Sequence, residues 1–276
     1  MNLYLNGEYL PLDQGKVSVQ DRGFQFGDGV YEVVRVYKGK AFRLDKHLAR
    51  LEQSVKGVEI PMPEQPAKIT EVCQTLIQGL DEAQIYLQVT RGVAPRMHAF
   101  PADVRPTFVA YASPVTPHAA DRVYTLKTLV DDRWGRCHLK TTNLLANILG
   151  KQRAIEAKCD EGLFVREGVV TEGTSSNAFF VRDGAILTHP ADNRILNGVT
   201  REAVLEIARQ QGVRTRFQAV TLADAMTSQE AFVTGTLTEI MPAVSIDGKP
   251  VGSGKAGPVT LKLRQAFRQL TAKECG

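Results

Sequence analysis

A chain of 276 residues, of which 43% are hydrophobic and 23% charged, has the length of two domains and the composition of a globular protein rather than a disordered one. Its 34 lysines and arginines are interspersed with 30 acidic residues, and a net charge of +4 without a basic run gives no support to nucleic-acid binding. Four widely spaced cysteines without a C-x-x-C pair predict neither a disulfide framework nor a metal site, and no apolar run reaches the roughly 18 residues of a membrane-spanning helix.

The first half of the chain predicts hairpins, two helices and two strands. Asn-Gly at 6–7 and Lys-Gly at 38–39 lie between apolar runs, which is a strong signal for a hairpin turn. A helix is predicted from Asp45, a favourable N-cap residue, to Gly57, because apolar residues recur there at helical spacing. No basic stretch precedes an apolar one at the N-terminus, so a secretory signal is not predicted and we expect a cytoplasmic protein. The remaining predictions in this half are a helix over 66–80 and strands over 84–92 and 106–112.

The second half predicts a mixture of strands and helices. Because both halves contain both element types, with hairpins among them, the predicted fold class is α+β with two domains. The segment SPVTPHAA has two prolines in eight residues and predicts a linker, which places an N-terminal domain at 1–113, the linker at 114–121 and a C-terminal domain at 122–276. The predicted strands are 123–130, 163–168, 177–181, 185–189 and 230–236 with a hairpin at 244–251, and the predicted helices are 143–158, 199–210 and a C-terminal one.

Four segments place polar residues in apolar or turn-like settings. Lys140 precedes a predicted helix; most lysines are solvated, but a partly buried one can serve as a Schiff-base lysine. Glu172, in VTEGTSSN, belongs either to an ordinary turn or to a site where a buried carboxylate has a partner. Segment 195–201 places a glycine and a hydroxyl at the start of a predicted helix, which suits an ordinary helix cap or an anion site. Segment 234–238 places a glycine and hydroxyls at the end of a predicted strand, which could complete the same anion site. Each signal is weak by itself.

In this order and spacing, the four segments resemble the fold type IV pyridoxal 5′-phosphate (PLP) enzymes. That group includes D-amino-acid, branched-chain and (R)-amine transaminases and aminodeoxychorismate lyase. The resemblance runs from YLNGEYLP through FGDGVYEVV and HLARL to FVTGTLTEIMP, so it covers nearly the whole chain. It implies a smaller N-terminal α/β domain and a larger C-terminal domain with a β-barrel-like core that binds the cofactor.

The resemblance assigns the cofactor-binding residues. Lys140 matches the lysine that binds PLP covalently and moves the α-proton, Glu172 the acid that holds the pyridine nitrogen, and Arg50 the arginine that clamps the phosphate. A basic amine, an anion at the ring nitrogen and a cationic phosphate site are what this cofactor requires. Gly235 stands where the bacillary D-amino-acid enzymes carry a serine, so one hydroxyl contact to the phosphate is expected to be missing. The other matches, in the phosphate cup or packed on the ring, are Val199, Thr200, Thr236 and Leu196.

The loop after the strand IYLQVT is expected to decide the substrate. Arg96 and His98 are two residues apart, as in a solvated basic loop or in a pair that binds one carboxylate. With Tyr31 they resemble the carboxylate trap of D-amino-acid transaminases, in which the arginine and histidine reach the active site of the neighbouring subunit. The resemblance therefore implies a homodimer and selection of the D enantiomer. It further implies that Val33 and Tyr86 line the pocket for the substrate side chain.

The predicted function is ping-pong transamination of D-amino acids with a 2-oxo acid acceptor, 2-oxoglutarate or pyruvate. No nucleic-acid, membrane or metal partner is predicted. The alternatives on the same fold are aminodeoxychorismate lyase and an (R)-amine or branched-chain transaminase. A PLP-binding regulatory protein without turnover is the non-enzymatic alternative, which the presence of both Lys140 and Glu172 disfavours. The sequence assigns no role to His47, His118, His138 or His189.

Overall fold

The computed structural model describes residues 2–276, which divide into two compact units. The first unit comprises the chain up to Pro117 together with Leu139–Asn143 and Thr271–Gly276, and the second comprises His118–His138 and Leu144–Leu270. Each unit is built on one sheet with helices beside it, which agrees with the predicted α+β class. The linker at 114–121 and the boundaries drawn on either side of it stay a prediction.

The first unit contains a six-stranded antiparallel sheet in the order β2-β1-β6-β5-β3-β4. A 3-10 turn at Leu12–Gln14 and the short helix α1 were not predicted from the sequence, since five residues are too few to show a period. The strands are β1 (Asn2–Leu5), β2 (Glu8–Pro11), β3 (Gly29–Tyr37), β4 (Lys40–Ala41), β5 (Ala83–Thr90) and β6 (Thr107–Pro114), and the helices are α1 (Arg22–Phe26), α2 (Leu44–Gly57) and α3 (Pro66–Leu76).

Both predicted hairpins form at two-residue turns with positive φ. Asn6 and Gly7 have φ of 49° and 107°, and Lys38 and Gly39 have φ of 48° and 75°. Two successive positive φ values match the right-handed twist of the strands, and glycine adopts the second without a steric cost. These turns fix the registers of β1 with β2 and of β3 with β4.

Helices α2 and α3 contribute to the apolar core of the first unit, together with the inward face of the sheet. Along β3, Val30, Glu32, Val34 and Val36 are all fully buried, as the period of two requires for one face of a strand. The predicted N-cap at Asp45 is wrong: α2 begins at Leu44, and its N-cap is Arg43, in the left-handed region at φ 52°. Asp45 lies in the first turn instead, where its carboxylate still suits the positive end of the helix dipole. Helix α3 ends at Leu76, four residues earlier than predicted.

The second unit contains a ten-stranded mixed sheet in the order β12-β11-β10-β14-β15-β7-β8-β9-β13, with β16 paired to β15. The strands are β7 (Tyr124–Val130), β8 (Glu161–Arg166), β9 (Val169–Gly173), β10 (Asn177–Arg182), β11 (Ala185–Thr188), β12 (Thr215–Phe217), β13 (Val220–Thr221), β14 (Glu230–Gly235), β15 (Glu239–Ile246) and β16 (Lys249–Pro250). The helices are α4 (Leu145–Glu156), α5 (Val199–Gln210), α6 (Leu222–Met226) and α7 (Pro258–Cys275). Helix α5 has the bounds predicted from the sequence.

The core of the second unit consists of apolar side chains from its mixed sheet. Three of its strands carry polar residues at or beside one end. Glu172 lies on β9, Asn177 begins β10, and Thr234 is the β14 residue paired with Asn177. Directly paired residues point to the same face of a sheet, so Thr234 and Asn177 share a face. Within residues 2–276 no helix is both long and apolar enough to cross a bilayer.

Candidate active site

Lys140 lies on a segment that is bonded to β3. The amide of Tyr31 donates to the carbonyl of Lys140 at 3.0 Å, and the amide of Thr142 donates to the carbonyl of Gly29 at 3.0 Å. The Lys140 amide donates to Oγ of Ser54, a buried residue of α2, at 3.1 Å. These three hydrogen bonds fix the main chain of Lys140 against two elements of the first unit. The main chain of this residue is thus held in place, and its amine is carried at the end of the side chain.

A row of tyrosines lies beside the Lys140 amine. Nζ of Lys140 is 4.1 Å from the centre of the Tyr31 ring, a cation–π distance. Tyr31 stacks on Tyr86 at 5.8 Å, and Tyr86 stacks on Tyr111 at 5.1 Å. Val33 is paired with Tyr86 in the sheet and faces the same side. The structure therefore brings together four residues that the sequence assigned to the site, namely Lys140, Tyr31, Val33 and Tyr86.

Arg50 is held by a buried carboxylate that sequence reasoning missed. Its Nε and Nη2 donate to the two oxygens of Glu32 at 2.6 and 2.9 Å, and Nδ1 of His47 lies 2.8 Å from Oε2 of Glu32. Burial alone would raise the pKa of Glu32, but Arg50 and His47 hold it at about 2. Burial lowers the pKa of His47 in spite of the adjacent Glu32. Glu32 thus fixes the guanidinium of Arg50, and His47 acquires a structural role as the second partner of Glu32.

Replacing Glu32 by glutamine should destabilise the protein by about 3 kcal/mol at neutral pH, because it removes the carboxylate charge that faces the buried Arg50 cation. The folded-state pKa of Glu32 lies below its unfolded value, so its stabilising effect is present above the ordinary glutamate pKa of about 4.3 and is lost as the pH falls toward 2. The free energy of unfolding in urea should therefore fall less between pH 5 and pH 3 in the variant than in the wild type.

Glu82→Gln is the matched control for that experiment. Glu82 also pairs with a buried arginine, Arg35, but its own side chain is 35% exposed. Solvent screens this pair, so we expect a loss under about 1 kcal/mol. An equal effect of both substitutions would contradict the assignment of Glu32 as the main partner of Arg50.

Arg96 and His98 lie in the exposed loop that follows β5, and both contact the ring of Phe26 from α1. The guanidinium carbon of Arg96 is 4.9 Å from the centre of that ring, and the His98 ring is 5.8 Å from it in an edge-on arrangement. Within residues 2–276, neither side chain hydrogen-bonds to Tyr31. The structure thus brings Arg96 and His98 together on one aromatic ring but does not join them to the third member of the predicted trap.

Glu172 is a buried carboxyl, 5% exposed, with a partner on each oxygen. Oε1 accepts from Nη1 of Arg133 at 2.5 Å, and Oε2 accepts from Nδ2 of Asn177 at 2.9 Å and from the Leu196 amide at 3.1 Å. Burial raises the pKa of Glu172 to about 7, with the Arg133 cation opposing the shift. A carboxyl in this state ionises readily when a further cationic N–H group is placed beside it.

Arg133 is the residue of this cluster that sequence reasoning missed. Its Nε and Nη2 donate to the two oxygens of Asp131, each at 2.9 Å, so the planar guanidinium is held in a fork. Burial alone would raise the pKa of Asp131, but hydrogen bonds from Arg133 lead the interactions that hold it at about 2. The D-x-R spacing in DDRWGR was the available signal, although an acidic and a basic residue two apart usually lie on the surface.

Helix α5 begins beside Glu172 without a side-chain cap. Gly198 is its N-cap, and among the described residues no side chain caps this end. A Cβ at Gly198 would lie 2.3 Å from Oδ1 of Asn177, so a larger residue there would displace the Asn177 amide. Asn177 also donates to the carbonyl of Leu196 at 2.8 Å, which ties the 196–198 turn to Glu172. The first amides of an α-helix have no partner in the helix and attract anions, so Val199 and Thr200 stand at a ready anion site.

Thr234, the first residue of the segment 234–238 that the sequence indicated, adds a second indication of a bound polar group. Its Oγ1 is buried and has no hydrogen-bond partner in residues 2–276. It lies on the same face as Asn177, and Gly235 and Thr236 follow it directly. An unpaired buried hydroxyl is costly unless a ligand satisfies it.

The donor set of the second unit fits PLP. A phosphate dianion suits the uncapped start of α5 and the hydroxyl-bearing end of β14, and a pyridine nitrogen suits the Glu172 carboxyl. The unit brings together the predicted residues Glu172, Leu196, Val199 and Thr200, with Asn177 and Arg133 as additional members.

Comparison with known proteins gives a consistent result. The family model described as amino-transferase class IV matches residues 29–246. The chain is 38% identical to the D-alanine aminotransferase of Bacillus licheniformis over 99% of this chain and 98% of that protein. It is 37% identical to the D-alanine aminotransferase of Staphylococcus haemolyticus over 97% of this chain and 96% of that protein.

Among the solved structures with the same fold are several branched-chain amino acid aminotransferases. The Escherichia coli enzyme has a TM-score of 0.91 at 27% identity and covers 98% of this chain and 94% of its own. A second enzyme of this kind, solved with pyridoxamine 5′-phosphate, has a TM-score of 0.90 at 28% identity and covers 97% of this chain and 93% of its own. The enzyme of Thermoproteus uzoniensis, solved with norvaline, has a TM-score of 0.90 at 26% identity and covers 99% of this chain and 95% of its own.

Proposed function

Since this chain belongs to the class IV aminotransferases, a PLP-dependent family, we propose that it transfers the amino group of small D-amino acids, D-alanine in particular, to a 2-oxo acid such as 2-oxoglutarate or pyruvate. The observation that carries this proposal is the pairing of Arg96 and His98 on one ring, which presents two cationic or donor groups to a substrate carboxylate. The near full-length similarity to D-alanine aminotransferases supports the same substrate.

Lys140 has the central part in the proposed reaction. When bound, PLP supplies an aldehyde that takes up an amine and an electron sink for the bond broken at the α-carbon. We propose that Nζ of Lys140 would hold the cofactor and, once the substrate amine has taken its place, would move the α-hydrogen as a proton. A fixed main chain with the amine at the end of a long side chain suits a group that must bind and later move a proton. Running the same steps in reverse with the 2-oxo acid gives a ping-pong cycle.

Glu172 is proposed to keep the pyridine nitrogen protonated. A carboxyl with a pKa near 7 ionises when a cationic ring nitrogen approaches, and the resulting ion pair lies in a buried setting where it is strong. Arg133 and Asn177 hold the carboxyl in one orientation. The protonated ring can then accept electrons from the α-carbon.

The phosphate is proposed to bind at the start of α5 and the end of β14. Val199 and Thr200 offer unpaired helix amides, and Gly235 and Thr236 offer the main chain and one hydroxyl. Arg50, held rigid by Glu32, supplies a guanidinium for the same anion. Leu196, whose amide is bound to Glu172, is proposed to pack on the ring.

Substrate orientation is proposed to select the enantiomer. Tyr31, Arg96 and His98 would bind the carboxylate, while Val33 and Tyr86 would contact the side chain. A carboxylate fixed on one side leaves only one enantiomer able to direct its α-hydrogen at Lys140. We therefore propose selectivity for the D form.

We further propose a cytoplasmic homodimer. Apolar side chains at the loop and on α1 are exposed in the single chain, as are those on α4; they are Phe24, Met97, Phe100, Leu145 and Ile148. Exposed apolar surface commonly marks protein contacts, so we propose that the partner subunit covers these side chains. The four cysteines are free, which suits a reducing compartment.

A branched-chain transaminase is the second candidate, favoured by the TM-scores of up to 0.91 with such enzymes. The two candidates differ in their preferred hand of substrate. Mixing the PLP-loaded protein with D-alanine, L-alanine or L-leucine and following the visible band of the bound cofactor separates them. We expect D-alanine to convert the band faster than either L-amino acid by on the order of 10²-fold or more. Faster conversion by L-leucine would overturn the proposal in favour of the branched-chain candidate.

A further inference from the structure

The main chain of the Arg96–His98 loop is held by a buried arginine. Arg22, at the start of α1, is 4% exposed, and its Nη1 donates to the carbonyl of Met97 at 2.6 Å. The same guanidinium has longer contacts, at 3.5 Å, with the carbonyls of His98 and Ala99. One side chain therefore contacts three successive carbonyls of the loop that carries Arg96 and His98.

A carboxylate in turn fixes Arg22. Oδ2 of Asp28 accepts from Nε of Arg22 and from Nε of Arg91, both at 2.8 Å. Arg91, at the root of the loop, also donates to the carbonyls of Val58 and Glu59, each at 2.7 Å. Burial alone would raise the pKa of Asp28, but hydrogen bonds from Arg91 and Arg22 hold it below its ordinary value. Asp28 thus stays ionised and locks Arg22 to the base of the loop.

The same helix fixes the two side chains. Arg96 and His98 both contact the Phe26 ring, and the guanidinium carbon of Arg22 is 4.8 Å from the centre of that ring. Two residues of α1, Arg22 and Phe26, therefore contact the carbonyls of the loop and the two side chains that are proposed to bind the substrate.

We infer that Arg22, locked by Asp28, is a positioning residue that sets the affinity of the enzyme for the carboxylate of its substrate without touching it. This inference rests on the proposed function, in which Arg96 and His98 bind that carboxylate. A loop that is already held in its binding geometry loses less conformational entropy when the substrate binds, so the affinity is higher. Displacing a binding group by about 1 Å through a remote change can cost up to about 10²-fold.

The test compares Arg22→Met with Arg96→Ala in the PLP-loaded protein, with D-alanine as the substrate. Methionine keeps the apolar stem of Arg22 but has no guanidinium to bind the loop carbonyls. We expect Arg22→Met to raise KM by about tenfold, with kcat changed less than KM. In an Arg96→Ala, His98→Ala background, the same substitution should change KM less than twofold, because the groups that it positions are absent.

Arg35→Met is the matched control. Arg35 is a buried arginine of the same unit that donates to the carbonyls of Val36 and Ala83, each at 2.9 Å, away from the loop. It should lower the melting temperature without a change in KM. An equal rise in KM for both arginine variants, or a fully additive effect in the double background, would overturn the inference.

Loop order gives a readout that is independent of turnover. Arg96 is exposed and is followed by Met97, so trypsin can cleave after it. Arg22→Met should speed this cleavage, and Arg35→Met should not.

If Arg22→Met does not fold, Phe26→Leu is the deciding variant, and it should raise KM in the same way. If Arg96→Ala leaves KM unchanged, the proposed carboxylate site fails together with this inference, whereas a rise in KM for Arg96→Ala but not for Arg22→Met or Phe26→Leu overturns the inference alone.

Discussion

Lys140→Ala is expected to reduce turnover of D-alanine by about 10⁴-fold, because it removes both the covalent attachment of the cofactor and the base that moves the α-proton. The variant should still fold, since the contacts that fix residue 140 use its main chain: Tyr31 donates to its carbonyl, and its amide donates to Ser54. It should also lose the visible band of the covalently bound cofactor.

Covalent trapping identifies the reacting amine directly. Borohydride reduction of the wild type, followed by peptide mass spectrometry, should find the cofactor on Lys140. Lys46→Ala, an exposed lysine of α2, is the control and should behave as the wild type. Attachment of the cofactor to another lysine, or near-normal turnover by Lys140→Ala, would refute the assignment.

Mixing two variants that each lack one residue of the proposed site extends this experiment to the proposed dimer, with D-alanine kept well below the KM of the Arg96→Ala variant. If Arg96 acts on the neighbouring subunit, a mixture of Lys140→Ala and Arg96→Ala chains forms some dimers with one intact site. Random assortment of equal amounts should restore about a quarter of the wild-type activity. If Arg96 acts within its own chain, mixed dimers contain no intact site and nothing is restored.

Glu172→Gln should be the second most damaging change, with a fall in kcat on the order of 10²-fold or more. Glutamine preserves the shape of the side chain but cannot carry the negative charge that keeps a pyridine nitrogen protonated. Hydrogen bonds from Asn177 and Leu196 can still be accepted by its oxygen, so cofactor binding should weaken less than kcat falls. Stopped-flow measurement of the half-reaction with D-alanine isolates this chemical step.

Glu230→Gln distinguishes loss of charge at the site from loss of a buried carboxylate in general. Glu230 is a buried glutamate of the same unit that accepts from the amides of Val259 and Thr260 at the start of α7. Its substitution should lower the melting temperature and leave kcat near the wild-type value. If Glu172→Gln and Glu230→Gln lowered kcat by similar amounts, Glu172 would act through stability only.

Local signals in the sequence predicted much of the fold. Paired turn residues gave both N-terminal hairpins, and helical periodicity gave α5 with its bounds. The start of α2 was misplaced because Arg43 adopts a left-handed conformation that no propensity favours, while Asp45 carries the usual N-cap signal. Helix α1 is too short for its period to be detected.

The candidate site was only half predictable. Lys140 and Glu172 were identified by motif resemblance. Arg133 could not be identified in this way, because its role depends on contacts between β9 and the segment that contains Asp131. Glu32 did leave a signal: it occupies a core-facing position between Val30 and Val34 on an alternating strand, where an acid needs a buried cation. His47 became interpretable only once that acid was located.

The composition of the first unit limits how the gene can be divided. Lys140 is encoded more than twenty codons after Pro117, inside a stretch that otherwise specifies the second unit, and a third segment of the first unit is encoded at codons 271–276. A fragment of residues 1–117 would therefore carry Tyr31 and Arg50 but not Lys140, the proposed nucleophile. Chimaeras between relatives that exchange this unit must transfer three separate coding segments, the central one only five codons long.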